Sequence, residues 1–226
     1  MNRITVINAL MKQRRLKNYL EIGVFNGHVF FRVKSKFKIA VDPEFAFDGM
    51  RKLVKTVINP YNLFNKYYQK TSDEFFANDA QNVFAEKKIQ LAFIDGMHEY
   101  SFALRDVENT LRYLADNGVI VMHDCNPAKR ENAISFKEWK TNGSGDWNGD
   151  VWKTILNLRS MRDDINVFVL DNDFGLGIIT KRKPENRLSF SEKEIDAFTF
   201  EDFDIHRKEW LNLKPVEYFY EYFKLM

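Results

Sequence analysis

Cysteine is almost missing from this chain. Cys125 stands alone, which excludes an internal disulfide and suits a reducing compartment. Proline and glycine are sparse: five and ten in 226 residues, too few for a disordered low-complexity tract. No apolar run approaches membrane-spanning length, and residues 1–20 lack the continuous hydrophobic core of a secretory signal. An excess of charge of one sign is missing too. The 34 Lys and Arg against 32 Asp and Glu leave +2, so nothing demands nucleic acid or a membrane surface as partner. What remains is an ordinary globular composition, 45% apolar and 29% charged, long enough for a full hydrophobic core. The expectation is one cytoplasmic domain over residues 1–226.

The most informative stretch runs from Tyr19 to Gly27, Tyr-Leu-Glu-Ile-Gly-Val-Phe-Asn-Gly. A short apolar strand passes Glu21, turns through Gly23 and Gly27, and leads into Val29–Val33, which is expected to start a helix. Strand, turn and helix in that order present glycine backbone and unpaired helix amides to an anionic ligand group. The dinucleotide fingerprint G-x-G-x-x-G is broken, because Phe25 occupies the place of its second glycine. The phosphate-loop pattern fails as well, since no Lys-Ser or Lys-Thr follows Gly27 at its spacing. A tight turn without a ligand is the alternative.

Taken in order, a leading helix within residues 1–18 carries Ile4, Ile7, Leu10 and Met11 on one face and ends in a basic patch, Lys12 to Arg15, read as a solvated helix end. The second strand, Lys38 to Asp42, is stopped by Pro43. Asp42 lies about twenty residues past the glycine turn, where an acid in a βαβ unit accepts from ribose hydroxyls; a strand-end turn would also explain it. A third strand near Tyr67 is followed by Ser72 and Asp73 at a capped helix start, a role that accounts for both residues by itself. The fourth strand, Ile89 to Ile94, runs into Asp95-Gly96-Met97-His98-Glu99-Tyr100. A long amphipathic helix follows, with Ala103, Leu104, Val107, Leu111 and Leu114 on one face and Asp106 among the polar residues on the other, closed by Gly118. The fifth strand ends in His123-Asp124. Residues 125–150 read as a long loop at the site edge, and residues 165–180 as an antiparallel hairpin.

Alternating strands and helices imply an α/β Rossmann-like doubly wound sheet, mostly parallel, with a C-terminal antiparallel hairpin and an aromatic-rich helical tail. The expected division is a core over residues 19–182 and an extension over residues 183–226, with tail aromatics serving as core or as the surface of a homodimer. Glu21, Asp42, Asp95, His98, His123 and Asp124 all fall at the carboxyl edge of the sheet, where ligands bind in such folds. His28 and His206 have no such context and read as surface or packing residues.

The pattern E-x-G-x-x-x-G resembles the first motif of class I S-adenosylmethionine-dependent methyltransferases. The pairing of Asp95-Gly-x-His98-x-Tyr100 with Gly118-x-x-x-x-His123-Asp124 is similar to the macrocin- and mycinamicin-type sugar O-methyltransferases and, more distantly, catechol O-methyltransferase. That resemblance implies a cofactor site from Glu21, Gly23, Gly27, Asp42 and Asp95, with Ser72 and Asp73 bordering the adenine. It also implies His98 as the base beside Asp95, and Asp95 and Asp124 as ligands of Mg²⁺ or Mn²⁺. His123 stands where relatives have Glu or another ligand, a departure that keeps it outside a Mg²⁺ shell, shifts the site towards Mn²⁺ or another metal, or means that no metal binds. The acceptor implied is a small hydroxylated molecule such as a sugar or glycan precursor. Three other readings stay open: a cofactor-binding scaffold without turnover, a metal-free N-methyltransferase, and, against Phe25, a nicotinamide-dependent oxidoreductase.

Overall fold

The computed structural model describes residues 1–143 and 145–225. The apolar runs become strands of a mixed α/β, Rossmann-like sheet, mostly parallel with antiparallel strands near the C-terminus. The chain divides into two compact units, Asn2–Gly96 with Arg105–Val121, and Met97–Leu104 with Met122–Met226 and Met1.

The first unit opens with α1 (Arg3–Gln13), capped by the Asn2 side chain, which accepts from the Thr5 amide at 3.1 Å. Val6, Ile7 and Leu10 recur at helical spacing and are fully buried. There follow β1 (Asn18–Ile22), β2 (Phe37–Asp42), α2 (Gly49–Ile58), β3 (Lys66–Gln69), α3 (Ser72–Asn78), α4 (Ala80–Val83), β4 (Ile89–Ile94), α5 (Tyr100–Tyr113, of which Arg105 onward belongs to this unit) and β5 (Leu114–Met122, up to Val121). In sheet order the strands run β3-β2-β1-β4-β5, and β1 pairs in parallel with β2 on one side and β4 on the other. The order reverses between β1 and β4, the switch point at whose carboxyl ends ligands bind in sheets of this kind.

Four expectations are corrected in this unit. The segment after the glycine turn forms only a single 3₁₀ turn, Phe30–Arg32, rather than a helix. Buried Lys38 explains the early stop: its ammonium donates to the Phe30 and Val33 carbonyls at 2.7 and 3.1 Å, and Asn59 and Asn62 donate to Phe31 O. Carbonyls that a longer helix would bond internally are satisfied from β2 and from the turn after α2. Gly118 is not a helix cap either; it lies inside β5 without the positive φ of a C′ glycine. The cap of α3 is Thr71, whose hydroxyl and Glu74 form a reciprocal capping box, so Ser72 is the first helical residue. Asp106 is buried rather than on the polar face.

The second unit contains α6 (Phe136–Asn142), α7 (Trp152–Met161), β6 (Asn166–Leu170), β7 (Leu176–Thr180), α8 (Glu192–Ala197), α9 (Phe200–Trp210), β8 (Leu213–Lys214) and α10 (Val216–Phe223). Its strands run β7-β6-β8, and β6 and β7 form the expected hairpin, with Leu170 opposite Leu176. Residues 125–150 are more ordered than a loop. They hold a 3₁₀ turn, Arg130–Asn132, and α6, which starts at a Ser135/Glu138 capping box. The expected capping box at Ser191 and Glu194 is present. The tail aromatics are mainly core: Trp210, Phe219 and Phe223 are buried, Trp210 lies 4.4 Å from Phe198, and Trp152 stacks on Phe203 at 4.6 Å. Each such ring contributes about 1.5–3 kcal/mol through burial, which a dimer surface would leave unused in the monomer. No helix among the described residues is long and apolar enough to cross a membrane.

Candidate functional site

Seven of the sequence-selected residues, Glu21, Gly23, Gly27, Asp42, Ser72, Asp73 and Asp95, lie in the first unit. The turn after β1 is fixed by its backbone. The Gly23 amide donates to Val41 O at 3.1 Å, and the Asp95 amide donates to Ile22 O at 2.9 Å, which ties the ends of β1, β2 and β4 together. Gly23 has φ +81°, and a Cβ there would sit 1.9 Å from the Asp95 carbonyl oxygen, so only glycine fits. The loop then reaches Asp42. The Phe25 amide donates to Asp42 Oδ2 at 2.7 Å and the Glu44 amide to Oδ1 at 2.8 Å. Asp42 is therefore beside the glycine turn, as expected, and each carboxylate oxygen keeps a further acceptor direction.

Glu21 is placed differently from an open ligand contact. It is 1% exposed and its carboxyl accepts from the Tyr19 hydroxyl. Burial pushes it up to about 8, against the pull of the Tyr19 bond and Lys38, while Asp95 pushes in the same direction as burial. Desolvation likewise lowers the Lys38 ammonium to about 7. Ser72 hydrogen-bonds Asp106, whose carboxyl is raised to about 7 chiefly by desolvation, and Asp73 pairs with Arg105 at 3.2 Å.

His98, His123 and Asp124 lie in the second unit and come together there. His98 Nδ1 is 2.7 Å from the Trp147 carbonyl oxygen and 3.2 Å from Asp124 Oδ2. A carbonyl can only accept, so Nδ1 carries the proton and, in the neutral ring, Nε2 carries the lone pair. Asp124 has φ +60°, is buried, and accepts through Oδ1 from the side-chain Nδ2 of Asn148. Its Oδ2 also lies 3.0 Å from His123 Nδ1, and His123 Nε2 lies 3.7 Å from Asp173 Oδ1. The His98 ring stacks on Trp147 at 5.1 Å, and Trp147 stacks on Trp139 at 5.4 Å. The Trp147 indole is anchored by its Nε1 donating to Ile134 O at 2.7 Å. Gly149 approaches so closely that a Cβ would lie 1.6 Å from the His98 carbonyl oxygen. Asp150 Oδ1 accepts from the Tyr100 amide at 2.6 Å and so fixes the start of α5. His28 and His206 are exposed, as expected.

The donor set speaks to a metal. The carboxylates of Asp95 and Asp124 are hard oxygen donors of the kind Mg²⁺ and Mn²⁺ take. His123 is set between two other carboxylates, its Nδ1 3.0 Å from Asp124 Oδ2 and its Nε2 3.7 Å from Asp173 Oδ1. Reading by motif missed Asn148, Trp147, Asp150 and Asp106. The first three sit in the 125–150 segment, whose Asn-Gly-Asp run at 148–150 is a turn signal without a chemical spacing. Asp106 was findable: it falls i+3 from Ala103 and i+4 before Thr110, on the buried stripe of α5.

Residues 20–125 match a family described as a methyltransferase domain. No curated protein matches the sequence. Among solved structures, the chain is similar to the O-methyltransferase from Bacillus cereus in complex with SAH (TM-score 0.57, 13% identity, covering 80% of each chain). It is also similar to the O-methyltransferase TomG from Streptomyces achromogenes, involved in tomaymycin synthesis and in complex with SAM (0.58, 10%, 79% of each chain). The SAH-bound methyltransferase PaMTH1 from Podospora anserina is a third (0.51, 18%, 80% of this chain and 78% of that one). The chain thus has the class I methyltransferase fold, and over residues 20–125 it carries the sequence pattern of a methyltransferase domain.

Proposed function

We propose that the protein transfers the methyl group of S-adenosylmethionine to a hydroxyl of a small molecule, a sugar or glycan precursor, with His98 as the base. The observation that carries this reading is the His98 tautomer: its Nδ1 donates to the Trp147 carbonyl, which leaves Nε2 to take a proton. In the step, an O–C bond forms on the axis of the breaking C–S bond. The hydroxyl proton passes to Nε2, and the sulfonium leaves as the neutral thioether. Asp124 orients the imidazole and stabilises its charged form. The cofactor would be held by the turn at Gly23 and Gly27, by Asp42 at the ribose, by Asp95 near the methionine end, and by Ser72 and Asp73 beside the adenine; Glu21, buried and bonded to the Tyr19 hydroxyl, would act from within β1 rather than by touching the cofactor. SAM or SAH is bound in the solved neighbours, which supports this cofactor.

Asp95 and Asp124 would hold a Mg²⁺ or Mn²⁺ ion, which when bound lowers the pKa of a coordinated hydroxyl. His123 then serves as an electrostatic neighbour of Asp124, its Nδ1 3.0 Å from Asp124 Oδ2. Calorimetry with S-adenosylhomocysteine is expected to show binding for both the wild type and His98→Ala. Methyl transfer to a panel of hydroxylated acceptors is expected to fall about 10²-fold or more in His98→Ala. Unchanged transfer in the variant rejects the base, and no binding by the wild type at high micromolar concentration rejects the cofactor. Chelation by EDTA is expected to abolish transfer, with recovery on adding Mg²⁺ or Mn²⁺. Activity indifferent to the chelator rejects the metal.

A further inference from the structure

The helix α2 is amphipathic in the wrong sense for a helix that packs on a core. Met50, Leu53, Val54, Val57 and Ile58 recur at i, i+3, i+4, i+7 and i+8, the stripe that a surface helix normally buries. Here none of its residues is buried, and these five are 67, 60, 47, 76 and 71% exposed. Its polar side is the one turned inward: Lys52 and Lys55 are half-buried, and the Lys52 ammonium lies 4.3 Å from the centre of the Tyr67 ring. The apolar surface continues along the chain into Tyr61, Leu63 and Phe64, which are 49, 62 and 69% exposed. Tyr61 and Phe64 in turn line a broad groove of about 910 Å³ whose other walls carry Lys12, Arg15, Lys17, Lys34 and Lys36. Among the described residues no carboxylate lines it.

A protruding aliphatic ridge this large is rare on a soluble surface unless something covers it. Two copies meeting across a two-fold axis would set the cationic groove against its own image, so like charges would oppose a second copy. A nucleic acid would use the cations and the Tyr61 and Phe64 rings, but it would leave the aliphatic ridge of Met50, Leu53, Val54, Val57 and Ile58 without a partner. Apolar side chains beside lysines and arginines suit one occupant best, the surface of an anionic bilayer. There the aliphatic side chains enter the acyl boundary while the cations meet the headgroups. We propose that α2 and the adjoining basic groove form a docking surface for anionic lipid. The near-neutral composition conceals it, because the cations are concentrated in one region of the first unit rather than in excess over the whole chain.

The test is co-sedimentation of the full-length protein with vesicles of phosphatidylcholine alone and of phosphatidylcholine mixed with phosphatidylglycerol. Binding is expected on the mixed vesicles and not on the neutral ones, and it should weaken as salt is raised. The double substitution Leu53→Glu with Val57→Glu, at exposed positions, should reduce the bound fraction about tenfold with an unchanged circular dichroism spectrum and Tm. Lys34→Glu with Lys36→Glu should do the same, since it reverses two headgroup contacts. Equal binding by wild type and both variants overturns the proposal, as does the absence of wild-type binding. A wild-type dimer in solution that the Leu53/Val57 variant dissociates, without vesicle binding, assigns the ridge to a second copy instead. RNA binding lost only in the Lys34/Lys36 variant, again without vesicle binding, assigns the groove to nucleic acid.

Discussion

Asp106 sits on the apolar stripe of α5, 3% exposed, with Ser72 as its hydrogen-bonding partner and Arg105 as the nearest favourable charge. Desolvation outweighs both and raises its carboxyl from 3.8 to about 7. A carboxyl that keeps its proton up to about pH 7 when folded, but loses it near 3.8 when unfolded, binds more protons in the native state across that window. Its contribution is therefore complete at acid pH and is lost as the pH climbs through that window. Glu21, raised to about 8, acts in the same direction; Lys38, lowered to about 7, acts the other way at alkaline pH, where stability is regained. Asp106→Asn keeps the shape and removes the titration. We expect its Tm to decline less than that of the wild type between about pH 4 and pH 7, a difference of about 1–3 kcal/mol in stability. Parallel Tm profiles would show that Asp106 does not hold a proton in the fold.

At the scale of elements, what could be read from the residues was what local chemistry decides. The apolar runs of β1, β2, β4 and β5, the β6–β7 hairpin and the Ser191 capping box all depend on residues close together in sequence. The failures share a cause, which is a partner from a distant part of the chain. Val29–Val33 stands where the helix after a glycine turn is expected, yet its carbonyls are claimed by Lys38, Asn59 and Asn62, and nothing within the segment announces them. Residues 125–150 were read as loop on their glycines, although Ser135 and Glu138 carry a legible cap for α6. Asp106 was misplaced by its charge when its spacing was right. The pairing of His98 with Asp124 was foreseen only as shared placement at a sheet edge, while the groups that hold the pair, Asn148 and the Trp147 carbonyl, have no motif. The Lys38 cap makes a strong test of this account. Lys38→Met keeps the aliphatic stem and removes the donor, leaving the Phe30 and Val33 carbonyls in the interior without it. We expect a loss of about 2–4 kcal/mol in urea denaturation at pH 6, where the wild-type ammonium is charged. A loss below about 0.5 kcal/mol would mean that the turn stops for reasons internal to its own sequence.

For the molecule as a whole, the proposed chemistry divides along the chain as the two units do. The residues assigned to the cofactor belong to Asn2–Gly96, and those assigned to proton transfer to Met97–Leu104 and the segment after Met122. The two functions are therefore expected to separate under mutation. Asp42→Ala removes the acceptor of the Phe25 and Glu44 amides together with the proposed ribose contact, and should weaken S-adenosylhomocysteine binding by about tenfold or more. Trp147→Ala should leave that affinity within about twofold of wild type while lowering the rate of transfer about tenfold or more. It removes the ring stacked on His98 and the Nε1 anchor to Ile134 O, so the carbonyl that fixes the His98 tautomer is no longer held. Trp147→Phe, which keeps a ring face but not the anchor, should fall between the two. The opposite pattern, with Trp147→Ala losing cofactor affinity and Asp42→Ala losing only turnover, would mean that the roles are exchanged and that the imidazole is not where the acceptor proton goes.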